Sequence, residues 1–418
     1  MAKPGMDNAR QGALRLLQGV REGLSLSDQG QSLKALSPSD QARAARLAAE
    51  TLRHRDRADT VLATYVSRKP NAQIADILRL ATVELLELGG AAHGVVDAAV
   101  NLTRGLGKRG QSATGMVNAV MRKVSRHEGW ANLPPQELPD WLREPLIATY
   151  GEDVTQAIEA AHQAAAPLDL TLKPGTTAPE GAVMLPTGSA RISGPVQVSA
   201  LPGFEAGDWW VQDAAAALAV RLLDPQPNEK IADLCAAPGG KTLQLAAAGA
   251  EVTAIDISAP RLKRLTENLK RCGLSAQLVT SDALKWQPKA PLDAVLLDAP
   301  CSATGTIRRH PDLPFLRDGS LIPELVALQS RLLDHALTML RPGGRLIYAV
   351  CSLLPDEGED QIDAALTRHP GLKVERPELQ GIEANWITPQ GGLRLRPDFW
   401  PDQGGMDGFF IARLRKPA

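Results

Sequence analysis

Asp233-Leu234-Cys235-Ala236-Ala237-Pro238-Gly239-Gly240-Lys241-Thr242 lies between an apolar run, 230–234, and a Leu/Ala-rich run, 243–250. Strand, Gly-rich turn and helix in that order place backbone N–H groups at a helix N-terminus, where a nucleotide-like ligand can sit. Gly239 and Gly240 matter because a residue without Cβ lets the backbone approach a ligand closely. Many such turns only connect elements, so this one gains its meaning from the strands and helices beyond it. Apolar runs at 231–234, 252–257, 276–280, 294–298 and 345–350 predict strands, and 241–248, 259–271 and 321–340 predict the helices between them. That alternation predicts a mostly parallel sheet covered on both faces. Residues 394–400 and 409–414, across Gly404-Gly405, predict a closing hairpin.

At 418 residues the chain is too long for one ordinary domain. From about Gln11 to Val124 the apolar residues recur at three and four, as in Ile74/Ile77/Leu78/Ala81/Leu85. That spacing predicts an all-α domain. Ser37-Pro38-Ser39-Asp40 predicts a helix start, with Ser37 as cap and Pro38 in the first turn. Residues 1–126 carry 19 Lys and Arg against 11 Asp and Glu, and the rest of the chain 27 against 36. A basic first third points to a polyanion partner, although a solvated helix surface would carry charge of this kind too. Pro134-Pro135 and Pro139 then mark a linker into further helices, and 168–172 alternates like a strand. The fold class expected is multidomain. It comprises an all-α domain over 1–126, linker helices with a small α+β domain over 127–215, and an α/β Rossmann-like domain over 216–418.

Composition excludes several classes. No apolar run approaches the roughly 20 residues a membrane span needs. The start, Met1 to Asp7, lacks an apolar leader segment, so secretion is not expected. Four cysteines without a Cys-x-x-Cys predict neither a disulfide scaffold nor a metal site. A cytoplasmic protein, free of membrane and metal, is the expectation.

Ligands of open parallel sheets bind beyond the carboxyl ends of the strands. Asp233, Asp256, Asp282 and Asp298 all fall at such ends. Asp256, ending the second strand, can accept hydrogen bonds from both ribose hydroxyls, and Asp282 is placed beside an adenine-like ring. Without Gly-x-Gly-x-x-Gly, S-adenosylmethionine fits better than NAD. Two cysteines stand at adjacent strand ends, in Asp298-Ala299-Pro300-Cys301-Ser302 and Val350-Cys351-Ser352. Cysteine is ordinarily a small buried hydrophobe, the reading we give Cys272 and Cys235. Cys301 and Cys351 instead lie on the rim where a substrate would approach. Carbon 5 of cytosine is a poor nucleophile until a thiolate adds at carbon 6. Asp298 can hydrogen-bond or protonate the neighbouring ring nitrogen. Lys241 has two open readings, a group that lowers a thiol pKa or anchors phosphate, and a residue of a helix first turn. The residues alone do not rank the two cysteines.

The Asp233-to-Thr242 turn, Asp-Ala-Pro-Cys-Ser and Cys351-Ser352 resemble the Nop/Sun family of RNA 5-methylcytosine methyltransferases. So do Ile307-Arg308-Arg309-His310-Pro311-Asp312 and Gly405-Met406-Asp407-Gly408-Phe409-Phe410. The basic helical domain, above all Val117 to Lys123, is similar to NusB-type RNA-binding domains and to the bacterial Sun/RsmB branch, which modifies small-subunit ribosomal RNA. The resemblance implies that Cys235, Ala236, Ala237, Pro238, Gly239, Gly240 and Lys241 cradle the methionine part of S-adenosylmethionine. It implies Asp256 for the ribose, Asp282 for the adenine edge and Asp298 for both cofactor and base. It also implies Cys351 as attacking thiol and Cys301 as the residue assisting release, whereas DNA cytosine methyltransferases, attacking with a Cys after Pro, would favour Cys301. Val350 stands where Thr is expected. Arg308, Arg309 and His310 are expected to contact phosphate or stack on a base. A monomer acting on 16S rRNA is the expectation. The alternatives are a non-catalytic RNA-binding assembly factor, and a methyltransferase for another RNA, for DNA or for a metabolite.

Overall fold

The computed structural model describes residues 8–194 and 196–418. The first seven residues, on which the expectation about secretion rests, lie outside them. The chain forms two compact units, one of Met1–Ala164 with Ile307–Asp318, the other of Ala165–Thr306 with Gly319–Ala418.

The first unit is helical: α1 (Asn8–Arg21), α2 (Pro38–Arg53), α3 (Arg55–Tyr65), α4 (Ala72–Leu86), α5 (Ala92–Gly105), α6 (Lys108–Val124), α7 (Asp140–Tyr150) and α8 (Glu152–His162). Ser37 caps α2 by accepting from the Asp40 N–H, and Pro38 follows at the first helical position. That is the start its sequence predicts. The apolar positions read at three and four, Ile74, Ile77, Leu78 and Ala81, are buried with Val117, Val120 and Met121. The helices α7 and α8, which the sequence groups with the middle piece, lie in this unit. Arg53 Nη1 donates to the His162 carbonyl at 3.0 Å, and Glu159 accepts from the Leu138 N–H at 2.8 Å.

The second unit begins with a four-stranded antiparallel sheet of β1 (Leu168–Leu172), β2 (Val183–Met184), β3 (Ala190–Ile192) and β4 (Trp209–Val211), in the order β2-β3-β1-β4. Helix α9 (Ala214–Leu223) leads into β5 (Lys230–Leu234), α10 (Gly240–Ala247), β6 (Glu251–Asp256), α11 (Ala259–Cys272), β7 (Gln277–Thr280) and β8 (Leu292–Asp298). The short α12 (Leu313–Leu316), in the segment that belongs to the first unit, comes before α13 (Ile322–Met339) and β9 (Leu340–Val350). Then come α14 (Glu359–Arg368), β10 (Lys373–Glu375), β11 (Leu393–Leu395) and β12 (Phe409–Arg415). The large sheet runs β10-β12-β9-β8-β5-β6-β7, with β11 also on β12. Its strands from β7 to β9 are parallel and β12 is antiparallel, so the sheet is mixed.

Alternation decides the layering. Val295 and Leu297 of β8 face one core with α13 and α14, while Ala294 and Leu296 face the other with α9 and Trp386. Burial on both faces is why these strands read as continuous apolar runs. The strand expected at 345–350 begins earlier, at Leu340, because Leu292 pairs with Leu340 across an irregularity in β8. The closing hairpin keeps only Leu393–Leu395 as its first arm, paired antiparallel with β12.

Candidate active site

The chain lays β5, β6 and β7 outward to one edge, then returns to place β8 on the other side of β5. Loops leaving β5 and β8 therefore diverge, and the crevice between them is the ligand position of such sheets. Cys235, just past β5, has φ 61°, a left-handed conformation uncommon for a residue with Cβ.

Asp233 is fully buried, with Thr242 Oγ1 donating to its Oδ2 at 2.5 Å. Its Oδ1 has no hydrogen-bond partner among the described residues. Burial pushes its pKa up to about 7, against the Thr242 hydrogen bond. Asp256 accepts from the Ala237 N–H at 3.0 Å and the Ser258 N–H at 2.8 Å. Asp282, two residues past β7, accepts from the Leu284 N–H at 3.0 Å. Asp298 ends β8 and receives Lys241 Nζ at 2.7 Å. Burial disfavours the Lys241 charge, but Asp298 outweighs it and the pKa rises. The ammonium also lies 5.3 Å from the centre of the Phe409 ring. The Cys235 thiol is pushed up to about 12, by burial first and then by Asp298, Asp256 and Asp233. Three of the four carboxylates thus converge on the turn, and its cysteine is kept protonated. Lys241 is a first-turn residue of α10, and its ammonium faces Asp298.

The sulfurs of Cys301 and Cys351 are 3.5 Å apart. Cys301 is held far above the usual thiol range by its hydrogen bond to Cys351, then by burial and by the charges of Cys351 and Glu357. Val350, the departure from the expected Thr, is fully buried in the strand. Sequence reasoning misses a polar clamp beneath the thiols. Glu357 is fully buried and accepts from the Ser302 N–H at 2.9 Å, from the Ser302 hydroxyl and from Gln329 Nε2 at 3.0 Å. The Ser302 and Ser352 hydroxyls, one residue past each cysteine, are 3.2 Å apart. The clamp fixes the two cysteine loops against each other. Its only sequence signal is the acidic run beyond Cys351-Ser352.

One expectation is corrected. Arg308 does not stand ready for phosphate, for it is 2% exposed, and its segment, Ile307–Asp318, belongs to the first unit. Buried His162 has its pKa pushed down to about 3, by burial and then by Arg308 and Arg53 beside it. Local sequence around Arg308 shows a basic loop and nothing of that packing.

Residues 220–415 match the family model described as 16S rRNA methyltransferase RsmB/F, and residues 7–126 match the NusB family. Proteins named ribosomal RNA small subunit methyltransferase B from Vibrio vulnificus and Xanthomonas campestris pv. campestris are 33% and 34% identical to this chain. Each alignment spans 98% of the chain, with 100% of the Vibrio protein and 99% of the Xanthomonas protein. The crystal structure of PH0851 aligns over 99% of this chain and 100% of its own, with TM-score 0.74 and 23% identity, which speaks for the fold. A methyltransferase homolog from Pyrococcus horikoshii aligns over 65% of this chain and 93% of its own, with TM-score 0.55 and 28% identity. Two strand-end thiols beside a Gly-rich turn thus sit in a chain that is alignable end to end with named relatives, and it belongs to the RsmB/F family of 16S rRNA methyltransferases.

Proposed function

We propose that this chain methylates carbon 5 of a cytosine in small-subunit ribosomal RNA, using S-adenosylmethionine and a transient covalent bond from Cys351 to the base. It would work as a cytoplasmic monomer. The observation that carries the reading is the pair of sulfurs 3.5 Å apart beside the Lys241–Asp298 ion pair.

The crevice fits the cofactor. The bare Oδ1 of buried Asp233 suits a cationic amino group, and Asp256, with two backbone N–H partners, keeps lone pairs for ribose hydroxyls. Residues 235–241 would hold the methionine part and Asp282 the adenine edge. When bound, the cofactor supplies an electrophilic methyl group. The protein supplies the rest. Cys351 adds its thiolate to carbon 6, which makes carbon 5 nucleophilic. Asp298, oriented by Lys241, hydrogen-bonds the ring nitrogen where charge develops. Cys301 keeps its proton at first, because its hydrogen bond to Cys351 and its burial hold it well above the usual thiol range. Once the Cys351 sulfur is bonded to the base its charge is gone, and with it part of what held the Cys301 proton. Cys301 then gives its own proton to solvent and, as a thiolate, takes the proton from carbon 5; the electron pair left there re-forms the ring double bond and expels the Cys351 sulfur from carbon 6 as a thiolate, so the methylated base leaves.

Labelled methyl transfer to unmodified 16S rRNA tests this. Cys351→Ala is expected to transfer no methyl group. Cys301→Ala is expected to accumulate a protein–RNA adduct that survives a denaturing gel; full turnover by that variant would falsify the assigned roles. Tight rRNA binding by the wild-type chain with no methyl transfer would return the assembly-factor reading.

A further inference from the structure

The positive charge of the helical unit is not spread evenly. In the first four helices several arginines meet carboxylates: Arg10 and Arg43 with Glu84, Arg21 with Asp76, Arg79 with Asp59, Arg57 with Glu87. From Ala98 to His127 the chain carries six Lys and Arg and no Asp or Glu. Arg104, Lys108, Arg109, Arg122, Lys123 and Arg126 are all exposed. These six sit on or beside the α5–α6 hairpin. A cleft of about 450 Å³ lies between the two helices, with His93, Arg104 and Arg122 on its walls and Thr114, Gly115 and Asn118 among its lining. Its one carboxylate, Asp97, accepts from Asn101 Nδ2 at 3.0 Å.

Helix chemistry alone does not explain this. Arg122 and Lys123 sit in the last turn of α6, where the helix dipole favours cations. Lys108 and Arg109 sit in its first turn, where the dipole disfavours them, and no acidic residue there offsets it. Nor does the cleft suit a protein helix. Protein interfaces depend on large apolar or aromatic anchors. None of the exposed large hydrophobics, such as Val183, Val211 or Ile257, lines it.

We infer that the α5–α6 cleft is the groove in which this chain holds the sugar–phosphate backbone of its RNA, an inference that rests on the proposed rRNA substrate. From His93 to Arg104 the cleft wall runs roughly 16 Å at ~1.5 Å per residue. The groove supplies affinity and register; sequence choice lies elsewhere.

The test uses the full-length protein and unmodified 16S rRNA, with affinity measured across a salt series. Arg104→Gln/Arg122→Gln and Lys108→Gln/Arg109→Gln are each expected to lower the slope of log affinity against log salt by about 1.5, since each phosphate contact contributes ~0.7–0.9. At 0.1 M salt that corresponds to binding roughly 30-fold weaker, relative to a 1 M reference. Lys34→Gln/Arg46→Gln removes two exposed cations outside the cleft and is expected to leave the slope unchanged. Equal slopes for wild type and both variants of the α5–α6 hairpin overturn the inference and leave the cleft to an acidic protein surface. An equal fall in the Lys34/Arg46 variant also overturns it, since net charge alone would then explain the effect. Methyl transfer by the wild-type protein separates the two readings: its absence counts against the proposed function, whereas its presence with unaltered slopes counts only against the groove.

Discussion

Asp233 is a residue whose charge the fold disturbs plainly, because it is fully buried with one oxygen bonded and the other bare. Its native pKa of about 7 stands above the ordinary 3.8. Between those values the folded state holds a proton that the unfolded chain has released. This group therefore favours the native state most at and below about pH 4, and that contribution is lost as pH rises towards 7. The slope is at most about 1.4 kcal/mol per pH unit. Asp233→Asn should flatten the fall in ligand-free stability between pH 4 and 7, read by denaturant unfolding of the full chain. Parallel profiles for the two proteins would mean that Asp233 titrates normally. The site carboxylates and both thiols are legible in the sequence because each falls at the end of an apolar strand, a position that periodicity alone locates. Glu357 is not. Its partners, Ser302 and Gln329, lie 55 and 28 residues away, and no local pattern distinguishes a clamped carboxylate from a solvated one.

At the scale of elements, the cysteine loops depend on two backbones crossing. The Gly408 N–H donates to the Gly305 carbonyl at 2.7 Å, and the Gly305 N–H donates to the Cys351 carbonyl at 3.0 Å. A Cβ on Gly305 would stand 2.0 Å from the Gly408 oxygen, a backbone atom that no side-chain rotation can move. This gives the Gly405-to-Phe410 motif its physical reason. It carries a strand start past the loop that holds Cys301, at a distance only two glycines allow. Gly305→Ala must shift one loop, so the sulfurs lose their register. Methyl transfer should fall at least ~100-fold, as misplacement by about 1 Å can cost that much. Overpacking should lower stability by about 1–3 kcal/mol. Activity near wild type would show that the loops tolerate the shift. The strands and helices around this crossing are readable from periodicity. The crossing itself joins residues over a hundred positions apart, which no window of sequence contains.

For the whole molecule, the segment Ile307–Asp318 overturns the simplest picture of separable modules. It begins six residues after Cys301 yet belongs to the helical unit. Asp312 Oδ2 accepts from the Leu26 N–H at 2.8 Å, Arg55 lies 4.9 Å from the centre of the Phe315 ring, and Phe315 and Leu316 pack on the core of α1 and α2. Removing the helical unit would thus do more than remove RNA affinity. It would strip the cover from Phe315 and Leu316 and free the chain just beyond Cys301. A chain of residues 165–418 is therefore expected to be poorly soluble. It should also methylate even a short RNA oligonucleotide at least about tenfold more slowly than the full chain, because a misplaced loop loses catalytic geometry. The variants of the α5–α6 hairpin provide the control, since they keep this packing and should retain their rate on the same oligonucleotide at saturating concentration. If the truncated chain stays in solution and matches the full-length rate, the segment serves only as a connection, and the cysteine loops hold their geometry without it.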